Sequence, residues 1–103
     1  MSRIIAEFSI IPIGTSSTSL SKYVAIALSE LKKRGISFQI TPMSTIIEGD
    51  SLDEILSIIK IAHEAVIKSG VKRVVLTINI DDRLDKTRRT SEDKVKSVKE
   101  KIY

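Results

Sequence analysis

Apolar and polar positions alternate from residue 3 to residue 13, with Ile4, Ala6, Phe8 and Ile10 on one side and Ile5, Glu7, Ser9 and Ile11 on the other. A period of two predicts a strand with one apolar and one mixed face. Gly14 and the run Thr15-Ser16-Ser17-Thr18-Ser19 predict a polar loop ending in helix-capping residues. Between Ser19 and Arg34 the period changes: Leu20, Val24, Ala27, Leu28 and Leu31 recur at helical spacing, opposite Lys22, Glu30, Lys32 and Lys33. Gly35 stands where a helix stops. Ile36 to Pro42 reads as a second strand, with Phe38 and Ile40 on one face and Gln39 and Thr41 on the other. Pro42 lacks a backbone donor and marks an edge or an end. Ser44 to Glu48 reads as a third strand closed by Gly49. Ser51-Leu52-Asp53-Glu54 is a capping box opening a helix to Ser69, with Ile55, Ile58, Ile59, Ala62 and Val66 as its buried stripe. Val71 to Ile80 is a fourth strand, with Val74, Leu76, Ile78 and Ile80 inward and Arg73, Thr77 and Asn79 outward. Thr90 is placed to cap a short last helix carrying Val95, Val98 and Ile102.

The predicted order is βαββαβ followed by a helix. Two helices on one face of a four-stranded antiparallel sheet satisfy it, the α+β ferredoxin-like sandwich. The other face is expected to be helix-free, bearing Glu7, Ser9, Gln39, Thr41, Thr77 and Asn79 beside Ile5, Ile11 and Val75. Such a mixed surface suits a partner interface or one wall of a ligand site.

The 103 residues suffice for one core, so a single domain over 1–103 is expected, with 83–103 as a basic extension. The net charge of +4 resides in that extension, which holds eight Lys/Arg and four Asp/Glu, while the remainder balances. A solvated helix face is the usual reason for such a tail; RNA or acidic lipid is the other. The chain has no Cys, which excludes disulfides, thiolate metal sites and thiol nucleophiles. No apolar run reaches membrane-span length, and Met1-Ser2-Arg3 leads straight into a strand pattern, so a cytoplasmic protein is expected.

The densest charge follows the fourth strand, in Ile80-Asp81-Asp82-Arg83-Leu84-Asp85-Lys86. The chain supplies no nucleophile, metal set or general base to work with these charges. They read as a turn and interface network of Asp82, Arg83, Asp85 and Lys86. Asp81 is close enough to the open face to be a ligand candidate. His63 is the one histidine; position 67 is Ile, so no i+4 ligand joins it. The serines at positions 16, 17, 19 and 21 lack a nucleophile elbow. Glu48, at a strand end beside Gly49, suits recognition of a cation or an aminopyrimidine edge, or a salt bridge to Arg73 or another subunit. Phe8 shares parity with core residues and the fourth strand has no aromatic, so no base-stacking platform is present. The four glycines are isolated, so phosphate-loop and dinucleotide fingerprints are absent.

Several motifs together resemble the small YkoF-like, thiamine-binding protein family. They are Ser9-Ile10-Ile11-Pro12-Ile13-Gly14, Ser21-Lys22-Tyr23-Val24-Ala25, Thr41-Pro42-Met43-Ser44-Thr45-Ile46-Ile47-Glu48-Gly49, His63-Glu64 and Ile80 to Lys86, with Lys94 to Val98 in the last helix. The resemblance implies a ferredoxin-like domain that associates through its sheets into dimers and commonly tetramers. It implies binding of thiamine or its hydroxymethylpyrimidine portion, with no catalysis and no cofactor. It also implies Thr45 and Glu48 as the leading ligand residues, with Ser9 and Pro12 to Gly14 nearby. The chain departs from the family pattern at Ser44, where Gly is common, and in the Ser/Thr-rich loop after Gly14; both changes are expected to narrow the pocket. Two other readings stay open: a self-assembling structural or regulatory module without a ligand, and a weak RNA binder acting through the basic tail.

Overall fold

The first strand, β1 (Ile4–Ile13), buries Ile4, Ala6, Phe8 and Ile10 and turns Ile5, Glu7, Ser9 and Ile11 the other way. The computed structural model describes residues 3–16, 20–84 and 91–102. After β1 come α1 (Ser21–Lys33), β2 (Gln39–Ile40), β3 (Thr45–Gly49), α2 (Leu52–Lys68), β4 (Arg73–Asp82) and α3 (Ser91–Ile102). The strands form one sheet in the order β2-β3-β1-β4, and each neighbouring pair is antiparallel. With α1 and α2 on the apolar face, this is the ferredoxin-like sandwich.

The core lies between that face and the two helices. Ala27, Leu28 and Leu31 of α1 and Ile55, Ile58, Ile59, Ala62 and Val66 of α2 meet Ile4, Ala6, Phe8, Ile10 and Ile47. Full burial of each large aliphatic side chain contributes about 1.5–3 kcal/mol. The α2 cap forms as its sequence predicts: Glu54 N–H donates to Ser51 Oγ at 3.1 Å, while Asp50 N–H donates to Glu54 Oε2 at 2.9 Å. The α1 cap does not. Leu20 occupies the cap position without a side-chain hydrogen bond, and Ser17 to Ser19 lie outside the described residues. At the far end of α1, Gly35 takes φ +73°, and Ile36 N–H returns to the Leu31 carbonyl at 3.0 Å.

Three expectations change. The second strand is far shorter than Ile36 to Pro42, because Thr41 to Ser44 close into a turn instead. Thr41 N–H donates to the Ser44 carbonyl at 2.9 Å, and Ser44 N–H to Thr41 Oγ1 at 3.0 Å. β4 starts at Arg73, leaving Val71 as a buried core residue ahead of it, and runs on to Asp82. The second sheet face is not helix-free. Lys94 of α3 pairs with Asp81 of β4, while Val95, Lys96 and Lys99 face Gln39 and Ile46 across a cavity of about 380 Å³. α3 therefore crosses over that face from β4 toward β2. Val95, Val98 and Ile102 remain exposed.

Gly49 serves packing. It is buried, and a Cβ built there would stand 3.0 Å from Ile55 Cδ1 and 3.2 Å from the Glu54 carboxylate. Close approach is thus to the first turn of α2. Gly49→Ala is expected to destabilise the fold by about 1–3 kcal/mol through overpacking. Urea unfolding measures this directly; an unchanged midpoint would show that Ile55 moves aside at no cost.

Candidate functional site

Strand lengths create a cavity beside two of the predicted ligand residues, Ser9 and Thr45. The β1–β3 ladder ends at the Phe8–Thr45 pair, yet β1 continues to Ile13 with only β4 beside it. The polar backbone groups of a strand point alternately to its two edges. From Ser9 onward, one edge of β1 therefore faces space rather than a strand. The Thr41–Ser44 turn and the start of α1 close that space into a cavity of about 440 Å³. Its walls are apolar at Phe8, Ile10, Val24 and Leu28 and hydroxyl-bearing at Ser9, Thr41, Ser44 and Thr45. Thr45 is the single buried polar residue among those described, at 6 % exposure. It lines the cavity.

Strand parity divides the predicted ligand residues into two groups. Thr45 shares the core face with Phe8, its register partner. Glu48, three positions along, lies on the opposite face, paired with Ile5. Asp81 also pairs with Ile5, so Glu48 and Asp81 flank one isoleucine on the open face. Ser9 and Thr45 border the cavity; Glu48 and Asp81 do not. Pro12 is buried further along β1, and Gly14 follows the strand with φ +80°. Thr45 and Glu48 thus lie on opposite faces of the sheet.

The charged residues at the end of β4 are tied elsewhere. Asp82 receives a two-pronged contact from Arg3, with Nε–Oδ1 at 2.9 Å and Nη2–Oδ2 at 3.3 Å, and Asp81 pairs with Lys94. Exposed pairs of this kind contribute about 0–1 kcal/mol each. Arg83 N–H reaches the Arg3 carbonyl at 3.4 Å. Asp85 and Lys86 lie outside the described residues. His63 is half-buried in α2, and its Nδ1 is buried with no hydrogen-bond partner among the described residues. Among those residues no group of three or more His, Asp or Glu is placed to hold a metal, and no helix is long and apolar enough to cross a membrane.

One residue escaped the sequence reading as a site member. Glu7 stands on the open face between Ile46 and Asn79. Its Oε2 accepts from Ser44 Oγ at 2.8 Å and its Oε1 from Asn79 Nδ2 at 2.9 Å. The Ser44 bond, then the Asn79 bond, hold its carboxyl below the ordinary value of 4.5 against a smaller opposing effect of burial. The available signal was a single carboxylate in the middle of a strand otherwise built of apolar and hydroxyl residues.

A profile of the family described as thiamine-binding protein matches residues 6–99. The UPF0045 protein of Methanothermobacter thermautotrophicus is 52 % identical over 99 residues, covering 96 % of this chain and 99 % of the relative. The UPF0045 protein YqgV of Bacillus subtilis is 44 % identical over 98 residues, covering 91 % and 92 % respectively. A solved structure from Methanocaldococcus jannaschii superposes with a TM-score of 0.81 at 44 % identity, over 97 % of this chain and 99 % of that one. A Thermotoga maritima structure, named for thiamine biosynthesis or salvage, superposes at 0.73 with 22 % identity over 92 % of this chain and 97 % of its own, a likeness of fold alone. From residue 6 to residue 99, and in its whole architecture, this chain belongs to the thiamine-binding protein family.

Proposed function

We propose that this protein is a non-enzymatic binder of thiamine or its hydroxymethylpyrimidine portion, with the pyrimidine held in the cavity between β1, α1 and the Thr41–Ser44 turn. The observation that carries the reading is Thr45, the single buried polar residue among those described, at the wall of a cavity bordered by a strand edge without a strand partner. An aminopyrimidine presents an amino donor beside ring-nitrogen acceptors. A strand edge presents carbonyl acceptors beside N–H donors, and the Thr45 hydroxyl does both. Phe8, Ile10, Val24 and Leu28 supply apolar contact for the ring faces.

The protein works, in this reading, as a cytoplasmic oligomer packed through the part of the second sheet face that α3 leaves exposed. Ile11, Ile13 and Val75 are exposed there and support such packing. The same residues favour the second reading, a self-assembling module with no ligand. Calorimetric titration with thiamine and with hydroxymethylpyrimidine, alongside light scattering, separates the two. Thr45→Val keeps the shape and removes the hydroxyl. It is expected to weaken binding roughly 5- to 150-fold, from about 1–3 kcal/mol for a buried polar group left unpaired. Glu48→Gln is expected to leave affinity within about twofold, because a group outside the cavity makes no hydrogen bond to the ligand. The reverse pattern would move the ligand to the open face beside Ile5, and no heat from a folded wild-type protein at millimolar ligand would end the binding reading.

A further inference from the structure

The cavity has one wall that the sheet itself does not hold. Residues 41–44 lie beyond the last β1–β3 pair, so no ladder hydrogen bond ties them to β1. Within the turn, Thr41 Oγ1 donates to the Ser44 carbonyl at 2.8 Å and accepts from Ser44 N–H at 3.0 Å, and the Ile40–Thr45 pair closes the hairpin at its base. Past the Thr45–Phe8 pair, a side chain ties the turn to β1: Ser44 Oγ donates to Glu7 Oε2 at 2.8 Å. The other Glu7 oxygen is held by Asn79 of β4 at 2.9 Å, so the carboxylate cannot swing freely toward or away from the turn. Three segments of chain, β1, β4 and the turn, thereby meet at one carboxylate on the open face, while the turn they fix walls a cavity that Glu7 does not line.

We propose that Glu7 is a positioning residue for the cavity: from the open face of the sheet it fixes the Thr41–Ser44 turn through the Ser44 hydroxyl, and so sets the affinity for a ligand that it does not touch. The inference rests on the cavity being the thiamine site proposed above. Hydrogen bonds to an ionised carboxylate are the stronger kind, and the lowered titration of Glu7 agrees with an ionised acceptor at neutral pH. Loss of this tie leaves the turn with its internal bonds but without a fixed distance to Ser9 and Ile11 on β1, the other wall. A ligand must then order the turn as it binds, and its affinity falls by that cost.

The test uses the full chain with thiamine as the probe. Glu7→Ala is expected to weaken binding about tenfold, the scale of one charge-assisted hydrogen bond. It should also speed hydrogen exchange at the Thr41 amide, which donates to the Ser44 carbonyl, with protection of Ile47 and Ile59 unchanged. Glu7→Gln is expected to restore most of the affinity. Its amide oxygen still accepts from Ser44, and its nitrogen can donate to the Asn79 oxygen once that amide turns over. Ser44→Ala should reproduce the effect of Glu7→Ala, and the double variant should be no weaker than either, since both remove one interaction. A general structural defect would instead lower protection throughout the core and would not select the turn. Wild-type affinity in a folded Glu7→Ala protein, or full additivity with Ser44→Ala, overturns this inference alone. Absence of thiamine binding by the wild type overturns the cavity reading and this inference with it.

Discussion

Val24→Trp is expected to abolish thiamine binding while leaving the protein folded. Val24 sits on α1 at the wall of the cavity and is 36 % exposed, so its side chain is not part of the closed core. An indole there projects between α1 and the Thr41–Ser44 turn and occupies space that a flat ring would need. The cavity holds about 440 Å³, room for a ligand of thiamine size but not for that ligand and an indole against the same wall. Substitutions at partly exposed positions away from caps and core usually change stability by about 0.5 kcal/mol or less. The melting temperature should therefore stay within a few degrees of wild type. Titration calorimetry and a thermal melt on the same sample give both numbers. Thiamine binding at wild-type strength in the variant would place the ligand somewhere other than this cavity.

Ile47→Ala is expected to cost about 2–5 kcal/mol of folding stability, the largest effect on the fold argued here. Ile47 is 1 % exposed and belongs to the core between the sheet and the helices. β3 has five residues, and Ile47 is its one large inward side chain, between Thr45 and Gly49. Truncation leaves a cavity that neighbours on two rigid layers cannot fill without moving. For a domain of this size the loss corresponds to a fall in melting temperature of about 4–8 °C per kcal/mol. A fall of only a degree or two would mean that α2 collapses onto β3 and fills the space. Thiamine protection offers a second reading of the same variant: saturating ligand should recover part of the lost stability if β3 still presents Thr45.

The faces of the sheet were legible because β1 alternates cleanly over ten residues and β4 from Arg73 to Asn79, and a period of two leaves no freedom in which side chain goes where. The same alternation separates Thr45 from Glu48 within the Thr41–Gly49 motif. The extent of β2 was not legible. Thr41 and Ser44 spend their polar groups on a turn, and a run that reads as a strand through Pro42 gives no sign of that competition. The cavity was hidden for a different reason. It exists because β1 outruns its partner by five residues, Ser9 to Ile13, and a difference between two strand lengths belongs to neither strand alone. The position of α3 was equally hidden: its placement rests on Lys94 meeting Asp81, a pairing between residues thirteen apart with other cations to choose from.

The alignment of β3 against β1 carries a consequence for how this site tolerates change in chain length. Thr45 and Glu48 owe their separate faces to one register, Phe8 opposite Thr45 and Ile5 opposite Glu48. A slip of β3 by a single place would press the Glu48 carboxylate into the helices and turn Ile47 out to water. A slip by two would keep every side chain on its own face and merely lengthen or shorten the uncovered edge of β1. The chain can therefore retune the depth of its cavity in double steps, and any odd step turns the sheet inside out.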